Sequence, residues 1–294
     1  MSNIRNQAML VSLNIGLFNP KKLDRSVTRE VLISKNASAN AGAFVKNILP
    51  DEAIKPIQAA GSALRAWVYT QTLPWNDESF RLLPVAQWDA FTDQLRARIA
   101  SFNSLVDQFC AQYETHRDKA LLQLGTLADR KDYPPLSTVR TKFYINVNYT
   151  PLPNSRDFRL DDMPEEAMSE LRANADLRVA EAVNEARNDL YRRLTERLEH
   201  IVKRMTEVSA KKEGNRIHGS LLSNLSELCQ LIPALNVTKD QDLENLRQRV
   251  MREIAPFDID DIRESEDSRT DLKNKAAGIL AAMGFNPNLQ REAA

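Results

Sequence analysis

Glycine is scarce, with eight residues in 294. That excludes a turn-rich sandwich or barrel, and because the eight are scattered it also excludes the glycine loops that cradle phosphates or dinucleotides. Cysteine is rarer still: Cys110 and Cys229 each sit inside a helical apolar pattern, where a lone thiol behaves as a small hydrophobe, so there is no disulfide framework. Three histidines, His116, His200 and His218, stand at no ligand spacing from one another or from the cysteines. Net charge is also missing, since 40 basic side chains face 40 acidic ones, and any charge-based recognition must come from local asymmetry. No run approaches the ~20 apolar residues of a membrane span. Residues 8–18 are the one candidate targeting segment. They are interrupted by Ser12, Asn14 and Gly16 and followed by Lys21 and Lys22 rather than a cleavage site, so they read as a strand, with the cytoplasm as default location.

What is abundant is helical periodicity. Trp88, Phe91, Leu95, Ile99, Phe102, Val106, Phe109, Tyr113, His116, Ala120 and Leu124 recur every three or four residues. Ten steps cover 36 residues, or 3.6 per step, which predicts a long helix over 85–130. A second stripe runs from Met168 through Leu171, Ala175, Val179, Ala182, Ala186, Leu190, Leu194, Leu198, Ile201 and Met205 to Val208. It predicts a central helix over 161–214, opened by Asp162 and Glu165 as a capping box. Charge is graded along it, −6 over 161–189 and +3 over 190–213, a polarity that suits the helix dipole. The length of these helices implies an elongated shape.

Two segments alternate with period two: Val11, Leu13, Ile15 and Leu17, then Phe143, Ile145, Val147 and Tyr149. Both predict half-buried strands that pair in a small sheet. Between them, Val27, Val31 and Ile33 suggest another strand, residues 36–43 a loop, residues 51–73 a helix with Pro56 tolerable only in its first turn, and residues 81–84 a connector. Beyond Gly214 and Gly219, a helix through Leu221 and Ile232 is expected to end at Pro233. Thr238 with Gln241 suggests another capping box, residues 257–267 acidic turns, and Gly284 the C-cap of a last helix. The expected fold is α-rich α+β: two long antiparallel helices, a small antiparallel sheet at one end, and a C-terminal set of short helices. It divides into a mixed segment over 1–160 and a helical one over 161–294, with the two long helices packed together.

No cofactor, metal or catalytic group is indicated. His116 reads as structural, no serine or cysteine occupies a nucleophile elbow, and the acidic group Asp258, Asp260, Asp261, Glu264, Glu266 and Asp267 lacks the spacing of a calcium loop. One asymmetry stands out. Residues 1–50 carry +5 and residues 130–159 carry +4, and both hold predicted strands with Tyr133, Tyr144 and Tyr149 among the charges. Two readings follow. Lys21, Lys22, Arg25, Arg140, Lys142 and Tyr144 form a nucleic-acid-binding face that tracks phosphates and stacks bases; alternatively, those charges pair with acidic helices of the same or a neighbouring subunit.

The segments MLVSLNIGLFNPKKL, RLLPVAQWDAF and KFYINVNY together resemble a family of phage and mobile-element proteins known as a domain of unknown function, over roughly residues 8–210. The resemblance implies a setting: such proteins are often encoded beside a MoxR-type AAA+ ATPase and a von Willebrand factor A-type protein, sometimes among recombination genes. It brings no catalytic residues. The expectation is a non-enzymatic adaptor or scaffold of such an assembly with protein partners, a homo-oligomer being compatible with it; the alternative is an accessory protein that binds DNA or RNA.

Overall fold

The structure, a computed structural model, describes residues 4–75, 79–154, 164–209 and 217–284. Its elements in chain order are β1 (Ala8–Gly16), β2 (Lys21–Leu23), α1 (Arg25–Ser34), β3 (Val45–Asn47), α2 (Asp51–Gln71), β4 (Leu73–Pro74), β5 (Arg81–Pro84), α3 (Trp88–Leu124), α4 (Leu136–Arg140) and β6 (Tyr144–Pro151). The helices α5 (Glu165–Ser209), α6 (Ser220–Leu235), α7 (Gln241–Glu253), α8 (Ile259–Glu264) and α9 (Glu266–Ala282) follow. The α-rich α+β class, both long helices, the small antiparallel sheet and the C-terminal helices are all as the sequence reading expects.

The chain divides into two interleaved units. One comprises Met1–Val11, Gln71–Trp88 and Tyr149–Ala294; the other comprises Ser12–Thr70 and Asp89–Asn148. This replaces the expected cut near residue 160, because β1 and β6 each run from one unit into the other.

In the first unit, the apolar stripe of α5 is buried as its spacing predicts: Leu190, Leu194, Leu198, Ile201 and Met205 are each at most 1% exposed. Its partners are α9 first and α6 second, where the sequence reading expects the helix that begins at Val85. Leu272, Ala276, Ile279 and Leu280 of α9, with Leu225, Cys229, Ile232 and Leu235 of α6, complete the core. Each fully buried leucine or isoleucine contributes ~1.5–3 kcal/mol. The four-stranded sheet has the order β4-β5-β1-β6. Residues 81–84 are thus a strand and no mere connector: β5 pairs antiparallel with β1, Leu82 opposite Leu10, and with β4, Leu82 opposite Leu73. Leu73, Leu82 and Leu83 are completely buried. The same unit is tied by polar contacts to the buried Thr72, whose carbonyl accepts from Arg193 Nη2 (2.7 Å) and Arg81 Nη2 (3.2 Å).

In the second unit, α2 and α3 enclose a separate core of Phe18, Ile54, Ile57, Phe102, Val106, Phe109, Val139 and Phe143 among others. Phe109 is its aromatic centre, with ring centroids 5.5 Å from Phe143 and 5.9 Å from Tyr113.

Several local expectations are corrected. Residues 25–34 are helix α1 despite their β-branched content, because Asp24 caps the helix by accepting from Ser26 N (3.2 Å) and Val27 N (3.1 Å). That helix ends with Asn36 at φ 49 and with Ala37 N bonded to Leu32 O at 2.9 Å, a Schellman closure. Pro56 lies beyond the first turn of α2, leaving the Glu52 carbonyl without its usual helical donor. Helix α6 continues past Pro233 to Leu235, whose completely buried side chain offsets the lost hydrogen bond. The cap of α7 is Asp240, not Thr238: its Oδ1 accepts from Asp242 N (2.9 Å) and Leu243 N (3.1 Å). The acidic stretch 257–267 forms α8 and the start of α9, with Asp258 and Ser265 as caps. Gly284 has φ 72, as its C-cap assignment requires. The expected capping residue Asp162 lies outside the described residues, as does Gly214.

Candidate functional site

The strand pair β2–β3 is a second, two-stranded sheet, in register Lys21 opposite Asn47, Lys22 opposite Lys46 and Leu23 opposite Val45. It stands on an ion cluster within the second unit. Lys46 has a side chain only 5% exposed, and its ammonium lies 3.0 Å from Asp24 Oδ2 and 2.8 Å from Asp132 Oδ2. It also donates to the Leu127 carbonyl at 2.8 Å. Lys22 approaches the other Asp132 oxygen at 3.6 Å. One buried cation therefore joins the β2–β3 ribbon, the cap of α1 and the turn at 127–133. The Asp24 carboxyl is held well below the usual carboxylate range, chiefly by the Ser26 hydroxyl (2.6 Å) and then by Lys46 and the Val27 N–H. Burial pulls the Lys46 ammonium down, but the Asp132 and Asp24 carboxylates outweigh it and leave the group raised.

All six candidate residues belong to this second unit, but they do not share a sheet. Lys21 and Lys22 lie on β2, Arg25 opens α1, Arg140 closes α4, Lys142 precedes β6, and only Tyr144 lies on the four-stranded sheet. The expected single basic sheet is instead a basic set spread over the β2 strand, two helix ends and the turn before β6. The shared core places these segments in one unit: Phe18, just before β2, and Phe143, beside Lys142, face each other at 6.5 Å. Two of the six are engaged by carboxylates, Lys22 by Asp132 and Arg140 by Asp107 at 2.9 Å. Lys21, Arg25 and Lys142, joined by Arg29, Lys35 and Lys131, are exposed, and no described side chain accepts from them. Arg5, counted with the basic segments in the sequence, belongs to the first unit and pairs with Asp176. By sequence, the second unit holds 16 basic and 11 acidic side chains, a net +5.

Tyr144 is 42% exposed. Its ring rests on Gly16, where an added Cβ would stand 2.2 Å from the ring carbon Cε1. The ring is thus seated on bare backbone.

Asp24, Lys46 and Asp132 are the residues the sequence reading missed as a functional group. The signal for Lys46 was present: Phe44, Val45, Ile48 and Leu49 flank it, an apolar neighbourhood in which a lysine needs partners. Elsewhere, His116 stacks on Phe109 at 6.0 Å, and Cys229 is buried, its thiol pushed up to about 11 by desolvation. Among the described residues no cluster of histidine, cysteine, aspartate or glutamate could hold a metal ion, and no helix is long and apolar enough to cross a membrane. An apolar groove of about 200 Å³ lies between α6 and α7, lined by Leu222, Leu225, Val250 and Ile254.

Neither a protein-family model, nor a curated protein, nor a solved structure matches the chain.

Proposed function

We propose that the chain is a non-enzymatic adaptor that holds an anionic partner through its second unit, within a phage or mobile-element assembly that includes an AAA+ ATPase and a von Willebrand factor A-type protein in the cytoplasm. The observation that carries this reading is the allocation of charge. Asp24 and Asp132 are committed to the buried Lys46. Lys22 and Arg140 are paired with Asp132 and Asp107, but the exposed Lys21, Arg25, Arg29, Lys35, Lys131 and Lys142 have no carboxylate partner among the described residues and are available to a partner. The family resemblance supplies the setting. The test is co-expression with the two partners, size-exclusion co-elution, and the triple variant Lys21→Glu, Arg25→Glu, Lys142→Glu. The complex should dissociate in the variant and weaken with salt; a complex indifferent to both would overturn the reading.

A second reading is favoured by Tyr144, whose ring is backed by Gly16 and offers a half-exposed stacking surface beside Lys142. It predicts salt-dependent binding of single-stranded DNA or RNA in an anisotropy titration, weakened several-fold by Tyr144→Ala. Absence of salt-dependent binding to single- and double-stranded probes removes it.

A further inference from the structure

We propose that the β2–β3 ribbon receives an extended acidic segment of a protein partner as an added strand along the free edge of β3. The inference rests on the adaptor reading and specifies how the partner is held. Its basis is the hydrogen-bond phase of the ribbon. Ile48 N bonds to Pro20 O at 2.8 Å and Asp24 N to Phe44 O at 3.0 Å. With Lys22 opposite Lys46, the inward-bonded positions of β3 and its extensions are therefore Phe44, Lys46 and Ile48, since closely bonded pairs recur every second residue. The N–H and C=O groups of Val45 and Asn47 then point away from β2, and no described group pairs with them. Val45 is 49% exposed and Asn47 is exposed as well.

The opposite edge is not equivalent. On β2 the Lys21 N–H is already taken by Asn19 Oδ1 at 3.0 Å. Exposed edges are commonly guarded by a lysine, but the only lysine of β3, Lys46, is turned inward and buried in the ion cluster. The edge is therefore both open and held in place.

Side chains specify the occupant. Leu23 and Val45 are directly opposite each other and about half exposed, a cross-strand apolar pair on the outer face. Lys21 stands on that face opposite Asn47. Arg29 follows Thr28, whose hydroxyl oxygen accepts from Phe44 N at 2.9 Å at the head of β3. An added strand that alternates apolar residues and carboxylates along its outer face, the apolar ones beside Val45 and the carboxylates beside Asn47 and Lys21, meets both features, as in β-augmentation, where main-chain bonds give affinity and alternate side chains give specificity.

The experiment uses the full chain and a labelled short peptide with valine and glutamate taking turns at every second position and threonine between them, so that both fall on one face of the strand, followed by anisotropy. Saturable binding is expected. An analogue of the same charge, N-methylated at alternate residues so that it cannot pair as a strand, should bind at least about tenfold more weakly. The variant Asn47→Pro removes one outward donor at a position where an edge strand tolerates proline, and should cost about tenfold. If that variant misfolds by circular dichroism, the N-methylated peptide still decides. Equal binding of the methylated and parent peptides, or loss of the acidic peptide to a single-stranded oligonucleotide in a Tyr144-dependent competition, overturns the proposal. A partner complex lost on charge reversal but unchanged by Asn47→Pro would sink the added strand and leave the adaptor standing.

Discussion

Replacing Lys46 by methionine tests whether the ion cluster holds the basic ribbon in place. Methionine keeps most of the length and the apolar stem, but removes the one cation shared by Asp24 and Asp132. Removing one partner from a buried pair costs ~3–5 kcal/mol. Here the carboxylates are 12% and 14% exposed and Lys22 lies 3.6 Å from Asp132, so water and a second cation soften the loss, and we expect roughly 3 kcal/mol, a factor of about a hundred in the unfolding equilibrium. The chain has three tryptophans, of which Trp67 lies in the second unit, stacked on Phe91 at 5.2 Å. With Trp75→Phe and Trp88→Phe as background, Trp67 fluorescence in urea reports that unit alone. The control is Lys55→Met, which breaks the exposed pair to Asp51, 69% and 59% exposed; such pairs contribute below ~1 kcal/mol. Adding Asp132→Asn to Lys46→Met should recover part of the loss. If Lys46→Met moves the midpoint no further than Lys55→Met, the cluster does not support the ribbon. The pH dependence has a sign on each side. Asp24, depressed in the folded state, contributes fully above its ordinary 3.8, and the contribution is lost as pH falls below that value towards the folded one. Lys46, raised in the folded state, contributes fully below its ordinary 10.5 and is lost as pH rises through the folded value. The methionine variant should lose the alkaline limb and keep an acid limb supported by Ser26 and Val27.

Three further outcomes are expected. Leu194→Ala, at a completely buried position in the α5 stripe, should destabilise the first unit by about 3–4 kcal/mol in denaturant titrations; a loss under ~1 kcal/mol would mean that the stripe is not packed against α6 and α9 as described. Asp240→Ala removes the cap of α7 and the acceptor of Arg187 (2.5 Å) and Tyr191 (3.1 Å), and should cost ~2 kcal/mol with hydrogen-exchange protection falling first in α7; uniform loss across the unit would contradict a local anchor. At mildly alkaline pH, Cys110, which is half-buried, should react with a thiol reagent well before Cys229, which is completely buried with its thiol pushed up to about 11; simultaneous labelling in the native protein would refute that burial.

The helices were legible because their signal is local. An apolar residue every 3.6 positions already defines the buried face of α5, and Ala182, Ala186, Leu190 and Leu194 occupy it as read. Which surface covers that face is a long-range matter: α9 and the helix from Val85 carry equally suitable stripes, and nothing in their spacing distinguishes them. Short strands failed for the opposite reason. Three residues at Lys21 or Val45 are too few to show alternation, and β5 gains its identity only from pairing Leu82 with Leu10 and Leu73. The candidate site was half legible. Composition located the positive charge, but it could not tell the buried Lys46 from the exposed Lys21, since that difference is made by Asp132, far along the chain.

The two interleaved units also set an order of assembly during synthesis. Every residue of the second unit has been made once Asn148 leaves the ribosome, while the first unit still awaits Tyr149–Ala294. The basic ribbon and its ion cluster can therefore form while β1 and β5 of the first unit still lack the helices that will bury them. The chain passes between the units at four places, near residues 11, 70, 88 and 148. A single proteolytic nick at any one of them leaves the units covalently joined, and neither can be released as a contiguous fragment of the gene.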